Sequence, residues 1–336
     1  MSALHSRRIF LCLIFITGGV VLSLELIASR ILAPFFGVSL YIWTAILSVT
    51  LIFLALGYQF GGWMTLKVEE KHHESLLLSL PILSALFIFL SCLAYPIILP
   101  ALSGTSLIVG SFVGSFVLLA FPLIFLSAVN PILISLLRQS TNSKDSGAGF
   151  ILFISTLGSV VGVLVTALLM VPNISNFSSM LVNGIGLILF TILTIIITHS
   201  NRPSSVNTRI LIPSVLIIVL CFSLLFLKND YLKIVTTDID SKGNQFRLLS
   251  EYQSHYGNLK VVGVIPKEKE EIFSYVLLQD GFFQDVMGKN GVSLVPYTYN
   301  LEKLTNIFSK ATNALILGFG AGVVPQKLRQ KGIKVS

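Results

Sequence analysis

Long apolar segments fill the first two-thirds of this chain. An α-helix needs about 20 apolar residues to cross the hydrocarbon core of a bilayer, which is about 30 Å thick. Segments of that kind lie near positions 9–29, 40–62, 76–99, 107–137, 147–170, 178–198 and 209–227. We therefore predict a multi-pass integral membrane protein with about seven helices in residues 1–227, and the lipid bilayer as its first partner.

Composition and charge exclude several other classes of protein. Of 336 residues, 54% are hydrophobic and 11% are charged, far below the roughly 25% charged residues of a soluble domain. Residues 1–227 contain nine basic residues (Lys or Arg) and five acidic ones (Asp or Glu), and residues 228–336 contain fourteen basic and ten acidic residues. Each part therefore has a net charge of +4. No element concentrates basic residues, and we predict no nucleic-acid partner. Cys12, Cys92 and Cys221 lie in apolar runs without a CxxC pair, and we predict no metal site.

Lysine and arginine counts in the short loops predict a cytoplasmic N-terminus, by eight basic residues to three. The eight are Arg7, Arg8, Lys67, Lys71, Arg138, Lys144, Arg202 and Arg209, and the three are Arg30, Lys228 and Lys233. We expect the membrane to be the bacterial inner (plasma) membrane. Seven spans would then carry the C-terminal segment to the outer face, which conflicts with the chemistry discussed below. One wrongly assigned span would reverse that result. The segment most open to a wrong assignment is the long fourth one, which contains Pro122 and Pro131. We predict one kinked helix there.

Small and polar residues within the apolar segments carry two interpretations each. Three glycine pairs spaced by four favour close helix packing over a substrate pathway. Glu25, Arg30 and Asn130 are candidate functional residues, because a polar side chain at membrane depth is costly to bury. Glu25 and Arg30 lie near the predicted end of the first helix, where reaching out to the interface is the alternative. The glycine pairs are Gly57/Gly61, Gly110/Gly114 and Gly158/Gly162.

After residue 227 the pattern changes to short apolar runs separated by turn residues. Runs at 231–236, 245–249, 258–265 and 272–278 predict a small antiparallel sheet, followed by a helix near 298–308. A buried strand at 314–317, the loop Gly318-Phe319-Gly320-Ala321-Gly322, a helix at 323–331 and a strand from Ile333 come next. This order predicts the start of a Rossmann α/β domain whose Gly318, Gly320 and Gly322 admit a nucleotide, although a tight turn without ligand has the same pattern.

The predicted organisation is thus a multi-pass α-helical membrane domain at 1–227, a small β subdomain at 228–297, and the truncated start of a methyltransferase-like Rossmann domain at 298–336. The acidic residue that would bind the ribose hydroxyls is expected about 20 residues after the first glycine. That position falls after Ser336. We therefore expect this chain to be a piece of a longer protein and inactive by itself.

Several ordered motifs resemble those of the spermidine synthase family. They lie at 254–261 (SHYGNLKV), 277–284 (LLQDGFFQ), 296–299 (PYTY) and 315–322 (LILGFGAG). The membrane part is similar to that of the membrane-fused spermidine synthase-like proteins at 24–30, 34–37, Trp43, 57–62 and 155–159, so the resemblance covers nearly the whole chain. It implies aminopropyl transfer from decarboxylated S-adenosylmethionine to a diamine, a small-molecule amine, without a metal.

The resemblance also implies which residues form the site. Asp280 and Gln284 would bind the donor together with the three glycines of the loop, and Tyr256 and Tyr297 would bind the amine. A plain hairpin turn at Asp280 and core positions for the two tyrosines are the alternatives. The family's proton-accepting aspartate follows the glycine loop at a distance, so we assign no catalytic residue.

Three departures from the family pattern keep other functions open. This chain has Gly257, Thr298 and Ala321 where soluble members have glutamine, histidine and aspartate, and each change removes a polar group that would hold amine or donor. One alternative is a membrane transporter or receptor that responds to a polyamine or nucleoside without catalysis. The other is a methyltransferase-like enzyme that uses ordinary S-adenosylmethionine.

Overall fold

A computed structural model divides the chain into two compact units, Met1–Thr236 and Thr237–Ser336. It describes residues 3–140, 147–199, 205–235, 243–254, 257–279, 281–304, 307 and 311–336. Among its described residues, the first unit contains seven helices long and apolar enough to cross a membrane, which confirms the predicted multi-pass helical class. The last of these helices continues to Val235, so the division falls nine residues after the predicted boundary at 227.

The seven membrane helices follow the predicted apolar segments with longer ends. They are α1 (Ala3–Phe36), α2 (Leu40–Lys67), α3 (His73–Leu102), α4 (Leu107–Ser140), α5 (Ala148–Val165), α6 (Asn176–His199) and α7 (Ser205–Val235). A π-helical turn, Thr166–Met170, and a short helical turn, Val171–Asn173, extend α5. The fourth segment is a single helix that contains both prolines, which confirms that it is not two short spans.

The core of the membrane unit surrounds α1. This helix packs on α4, α5 and α6, while α2 packs on α4 and α3 packs on α4 and α6. Leu24, Ile27 and Leu32 of α1 are almost fully buried among residues of these neighbours. Large exposed apolar side chains on α2, α5 and α7 suit a lipid environment, since such a surface would be unfavourable in water.

The end of α1 differs from the prediction. The helix continues beyond residue 29 to Phe36, and Gly37 then takes a left-handed backbone conformation with φ of 89°. Glu25 is therefore eleven residues, or about 16 Å, from the helix end. The interpretation of Glu25 as a residue close to the helix end was wrong, because the apolar pattern continues through Ile31, Leu32 and Ala33.

The second unit begins with a four-stranded antiparallel sheet in the order β1-β2-β3-β4, which confirms the predicted small antiparallel sheet. The predicted strand at 231–236 was wrong over 231–235, because α7 continues through those residues. The strand after the Asp280-Gly281 pair was not predicted. The strands are β1 (Gln245–Ser254), β2 (Gly257–Ile265), β3 (Ser274–Gln279) and β4 (Phe282–Gly288).

A short parallel pair completes the second unit. Helix α8 (Pro296–Leu304) precedes β5 (Asn313–Ala314), and helix α9 (Val323–Gln330) connects β5 to the parallel strand β6 (Lys334–Val335). The pairing extends beyond both strands, since Ser336 N donates to Ala314 O at 2.9 Å and Ile316 N donates to Ser336 O at 3.0 Å. The order of strand, glycine loop, helix and strand agrees with the prediction, but the predicted buried strand at 314–317 was wrong, since β5 covers only Asn313–Ala314 and Leu315 and Leu317 are 74% and 90% exposed.

Candidate functional site

The glycine loop between β5 and α9 is shaped by backbone conformations that favour glycine. Gly318, Gly320 and Gly322 have φ angles of 95°, 53° and 76°, in the left-handed region where a side chain is strained. Gly322 is also the residue before the first turn of α9. Within the described part of the chain, the backbone N–H groups of Gly320, Ala321 and Val324 meet no acceptor. The loop thus offers several amide donors at the start of a helix.

A buried carboxylate faces this loop from the antiparallel sheet. Asp285 of β4 is only 2% exposed. Its Oδ2 lies 3.8 Å from the position that a Cβ would take at Gly320. This aspartate is a candidate site residue that the sequence analysis missed. A polar pair, Gln284-Asp285, between two apolar pairs was the signal that could have found it.

The local fold fixes Asp285 in this position. Its Oδ1 accepts a hydrogen bond from its neighbour Val286 N at 2.9 Å and one from Ser293 Oγ at 3.3 Å. Ser293 Oγ in turn accepts from Val295 N at 3.2 Å, and the segment is held against β4 because Leu294 N donates to Val286 O at 2.8 Å. All described donors to this carboxylate bind Oδ1, so Oδ2 remains available on the side of the glycine loop.

The strand that carries Asp285 contains a β-bulge. Leu278 pairs with Phe283, but the next residue, Leu277, pairs with Asp285, so Gln284 is an extra residue on β4. A bulge bends a strand and redirects the side chains around it, and bulges are common next to active sites. The bulge therefore explains how an acid in a β-strand comes to lie against the loop.

Two of the predicted site residues are neighbours in the structure. Tyr297 Oη donates a hydrogen bond to the backbone oxygen of Gln284 at 3.1 Å. Tyr297 is 55% exposed, so the alternative of a core aromatic is wrong for this residue. The other two predicted residues, Asp280 and Tyr256, lie outside the described residues.

The polar residues predicted in the membrane part belong to the first unit. Glu25 of α1 is 9% exposed and Asn130 of α4 is 7% exposed, whereas Arg30 of α1 is half-buried. Burial of Glu25 eleven residues from the helix end keeps it a candidate, because a polar side chain in a membrane helix is costly unless it has a role.

A polar cluster that the sequence did not reveal joins three membrane helices. Ser23 Oγ of α1 lies 2.6 Å from Thr166 Oγ1, in the π-helical turn after α5, and accepts from Asn183 Nδ2 of α6 at 2.9 Å. The cluster lines a groove of about 300 Å³ with apolar walls. π-Helical turns occur frequently at functional sites. Serine, threonine and asparagine also stabilise helix contacts in lipid, so this arrangement serves packing as well.

The three glycine pairs lie at helix contacts, as the packing interpretation predicts. A Cβ at Gly158 would lie 1.9 Å from Phe15 O, and one at Gly61 would lie 2.5 Å from Ala128 O. A Cβ at Gly114 would lie 2.5 Å from a Leu32 side-chain carbon. These glycines therefore allow the helices to approach closely, and Gly158 and Gly162 also line the groove beside the polar cluster.

Among the described residues, no group of three or more His, Cys, Asp or Glu side chains is placed to hold a metal ion. No protein-family model, no curated protein and no solved structure matches the chain. The function is therefore argued from the arrangement of the glycine loop, Asp285 and the polar membrane residues.

Proposed function

We propose that this chain is a membrane-anchored, spermidine synthase-like protein whose second unit binds a donor of the S-adenosylmethionine type. The observation that carries the proposal is the glycine loop between two parallel strands, with unpaired amides among the described residues at the start of α9. In Rossmann domains this arrangement binds the nucleotide, because the amides and the helix dipole meet the ligand. We assign the parallel pair and its helix to the beginning of such a domain.

The loop leaves open space beside Gly318 and Gly320. A Cβ at Gly318 would meet no heavy atom of the described residues within 4 Å, and at Gly320 it would meet only Asp285 Oδ2. Backbone without side chains can approach a bound ligand closely. Tyr297 and Gln284 lie in the adjacent part of the same unit, which agrees with the amine-binding and donor-binding roles that the family resemblance implies.

The proposed reaction transfers an aminopropyl group from decarboxylated S-adenosylmethionine to a diamine. The unprotonated amine forms a bond to the carbon next to the sulfonium, the carbon–sulfur bond breaks, and its electron pair remains on the sulfur of the departing thioether nucleoside. The attacking nitrogen then loses a proton to a base. Holding the amine close to the sulfonium carbon is the main task of the protein, since positioning alone lowers such barriers substantially.

A transfer assay tests this proposal directly. The chain in lipid nanodiscs is incubated with labelled decarboxylated or ordinary S-adenosylmethionine and a panel of diamines. Aminopropyl transfer supports the proposal, methyl transfer supports the methyltransferase alternative, and binding of the donor without transfer agrees with a donor-binding chain that is inactive by itself. Absence of both binding and transfer contradicts the proposal.

The side of the membrane is a second part of the proposal. We place the N-terminus in the cytoplasm of a bacterial cell, from the eight-to-three distribution of basic residues. Seven spans then put the residues after α7 on the outer face. Reporters fused to the N-terminus of the full chain and after residue 336 test this placement, and a cytoplasmic signal from both ends would show that one of the seven helices does not span.

A transporter or receptor is the second candidate function, and the polar cluster of Ser23, Thr166 and Asn183 favours it. The cluster lines a groove of the membrane unit next to a π-helical turn. Uptake of labelled polyamine into vesicles, lost on Asn183→Ala and retained on Asp285→Asn, would support this function over the enzyme.

A further inference from the structure

Asp285 gives the glycine loop an unusual electrostatic character. Helix starts with free amides ordinarily bind phosphate or another anion, because the N–H groups and the helix dipole favour negative charge. Here a carboxylate that is 2% exposed lies next to Gly320 of the loop. Its Oδ2 approaches within 3.8 Å of the Cβ position at Gly320. A phosphate bound to these amides would lie close to a fixed negative charge.

The Asp285 carboxylate is held in place by hydrogen bonds. A buried charge is unfavourable unless it is paired or hydrogen-bonded. Ser293 Oγ and Val286 N supply hydrogen bonds to Oδ1, whereas no donor in the described ranges reaches Oδ2. The oxygen on the loop side therefore lacks a partner that a ligand with a positive charge or a hydroxyl group would supply.

Two kinds of group at the loop indicate the chemistry of a ligand. The amides of Gly320, Ala321 and Val324 donate hydrogen bonds, so they require an acceptor such as a ribose or base oxygen or nitrogen. Asp285, next to Gly320, accepts hydrogen bonds and stabilises positive charge. A nucleoside that carries a cationic sulfur or nitrogen suits both kinds of group, whereas a nucleotide or dinucleotide suits only the amides.

We propose that Asp285 is the specificity-determining residue of the glycine loop, and that it selects positively charged nucleosides and rejects phosphorylated ones. The inference rests on the proposed function in so far as the loop binds a nucleoside at all. It goes further by assigning the charge preference to one side chain that the family resemblance does not include. It also separates this loop from the dinucleotide sites that share its glycine pattern.

Binding measurements with ligands that differ in charge test the proposal. S-Adenosylmethionine and S-adenosylhomocysteine differ by one methyl group and the sulfonium charge, and AMP adds a phosphate to adenosine. We expect the full chain in nanodiscs to bind the sulfonium compound about tenfold more tightly than the thioether, the size of one charge-assisted interaction. We expect adenosine to bind more tightly than AMP by at least the same factor.

Asp285→Asn keeps the size of the side chain and removes its charge. We expect this variant to lose both preferences. Glu268→Gln removes the same charge from an exposed loop of the same unit and is the matched control, which retains both. Ser293→Ala removes one hydrogen bond to Oδ1 but keeps the carboxylate, so the preferences persist there in reduced form.

The outcomes separate this inference from the proposed function. If the wild-type chain binds no adenosine compound, both are wrong. If it binds them without regard to charge, or prefers AMP, the role of Asp285 is wrong and nucleoside binding stands. Since these comparisons use the wild-type chain, they decide the inference even if Asp285→Asn does not fold. Retention of both preferences by a folded Asp285→Asn variant also overturns it.

Discussion

Glycine serves opposite purposes in the two units of this protein. In the membrane unit, Gly61 and Gly158 lie inside helices and have ordinary helical backbone conformation. A Cβ at these positions would collide with the backbone of an adjacent helix, at 2.5 Å and 1.9 Å respectively. In the second unit, a Cβ at Gly318 would meet nothing within 4 Å among the described residues, but φ is 95°. In the membrane unit, close contact between helices requires glycine. In the second unit, the left-handed backbone conformation requires it.

This difference shows how the same residue signals stability in one place and ligand access in another. Lipid gives helices no hydrophobic reason to associate, so close packing at small residues holds them together. A loop in water has no such neighbour, and an open position with left-handed backbone leaves space for something outside the chain. The comparison predicts that substitutions will separate stability from binding.

The largest effect is expected where an added Cβ would overlap both the backbone and a rigid side chain of a neighbouring helix. Gly61→Ala introduces a Cβ against the Ala128 backbone and the Pro131 ring, and we expect a loss of about 2–3 kcal/mol in stability from overpacking. Gly62→Ala on the same helix is the control, because its Cβ would meet no described atom within 4 Å. Thermal unfolding of the two variants in detergent measures the difference, and equal stability would break the contact interpretation.

A smaller loss of stability is expected where glycine is required only by its positive φ angle. Gly318→Ala and Gly291→Ala both place a side chain at positive φ in open space, with φ of 95° and 74°. Each should cost about 1–2 kcal/mol of stability in the second unit. Only Gly318→Ala should weaken binding of S-adenosylmethionine, as measured by calorimetry. Equal binding by both variants would show that the loop is an ordinary turn.

The polar cluster tests whether the membrane unit relies on hydrogen bonds as well as on glycine contacts. Ser23→Ala removes a side chain that bonds to Thr166 and Asn183 on two other helices, and we expect a loss of about 1 kcal/mol. Ser29→Ala is the control, because Ser29 Oγ donates to Leu26 O of its own helix. Unfolding of both variants in detergent gives the comparison, and a loss confined to Ser29→Ala would contradict it.

The smallest effect is expected at an exposed ion pair of the second unit. The hydrogen bond and charge of Lys289 lower the pKa of Glu271, and Glu271 raises the pKa of Lys289. Glu271 therefore stabilises the folded state at pH values above its unfolded pKa, and this stabilisation is lost as the pH falls through its folded pKa. An NMR titration should show the low pKa of Glu271 returning toward its ordinary range in Lys289→Met. No change would mean that the pair does not persist in solution.

The membrane architecture could be predicted from the sequence because bilayer thickness imposes a length on every apolar segment. The same rule does not fix where a helix stops inside or beyond the lipid. It misplaced the end of α1, and residues 231–235 were assigned to a strand although α7 continues through them. Local apolar content is similar in a short strand and in the last turns of a helix, so periodicity over five residues cannot separate them.

The candidate site was only half visible in the sequence. The spacing of Gly318, Gly320 and Gly322 between two apolar runs was enough to predict the loop, because few residues other than glycine adopt those backbone angles. Asp285 could not be recognised in the same way. Its position depends on a bulge at Gln284, on the hydrogen bond from Ser293, and on the approach of a loop more than 30 residues further along the chain.

The sequence by itself determined what depends on one segment at a time: the number of membrane helices, the existence of a small antiparallel sheet, and the strand, glycine loop and helix order of the second unit. Tertiary structure decided what depends on distant segments meeting. It selected α5 as the partner of α1 through Gly158, joined Ser23 to Thr166 and Asn183, and brought a buried carboxylate to the glycine loop. Chain folding sets these distances, and no local pattern encodes them.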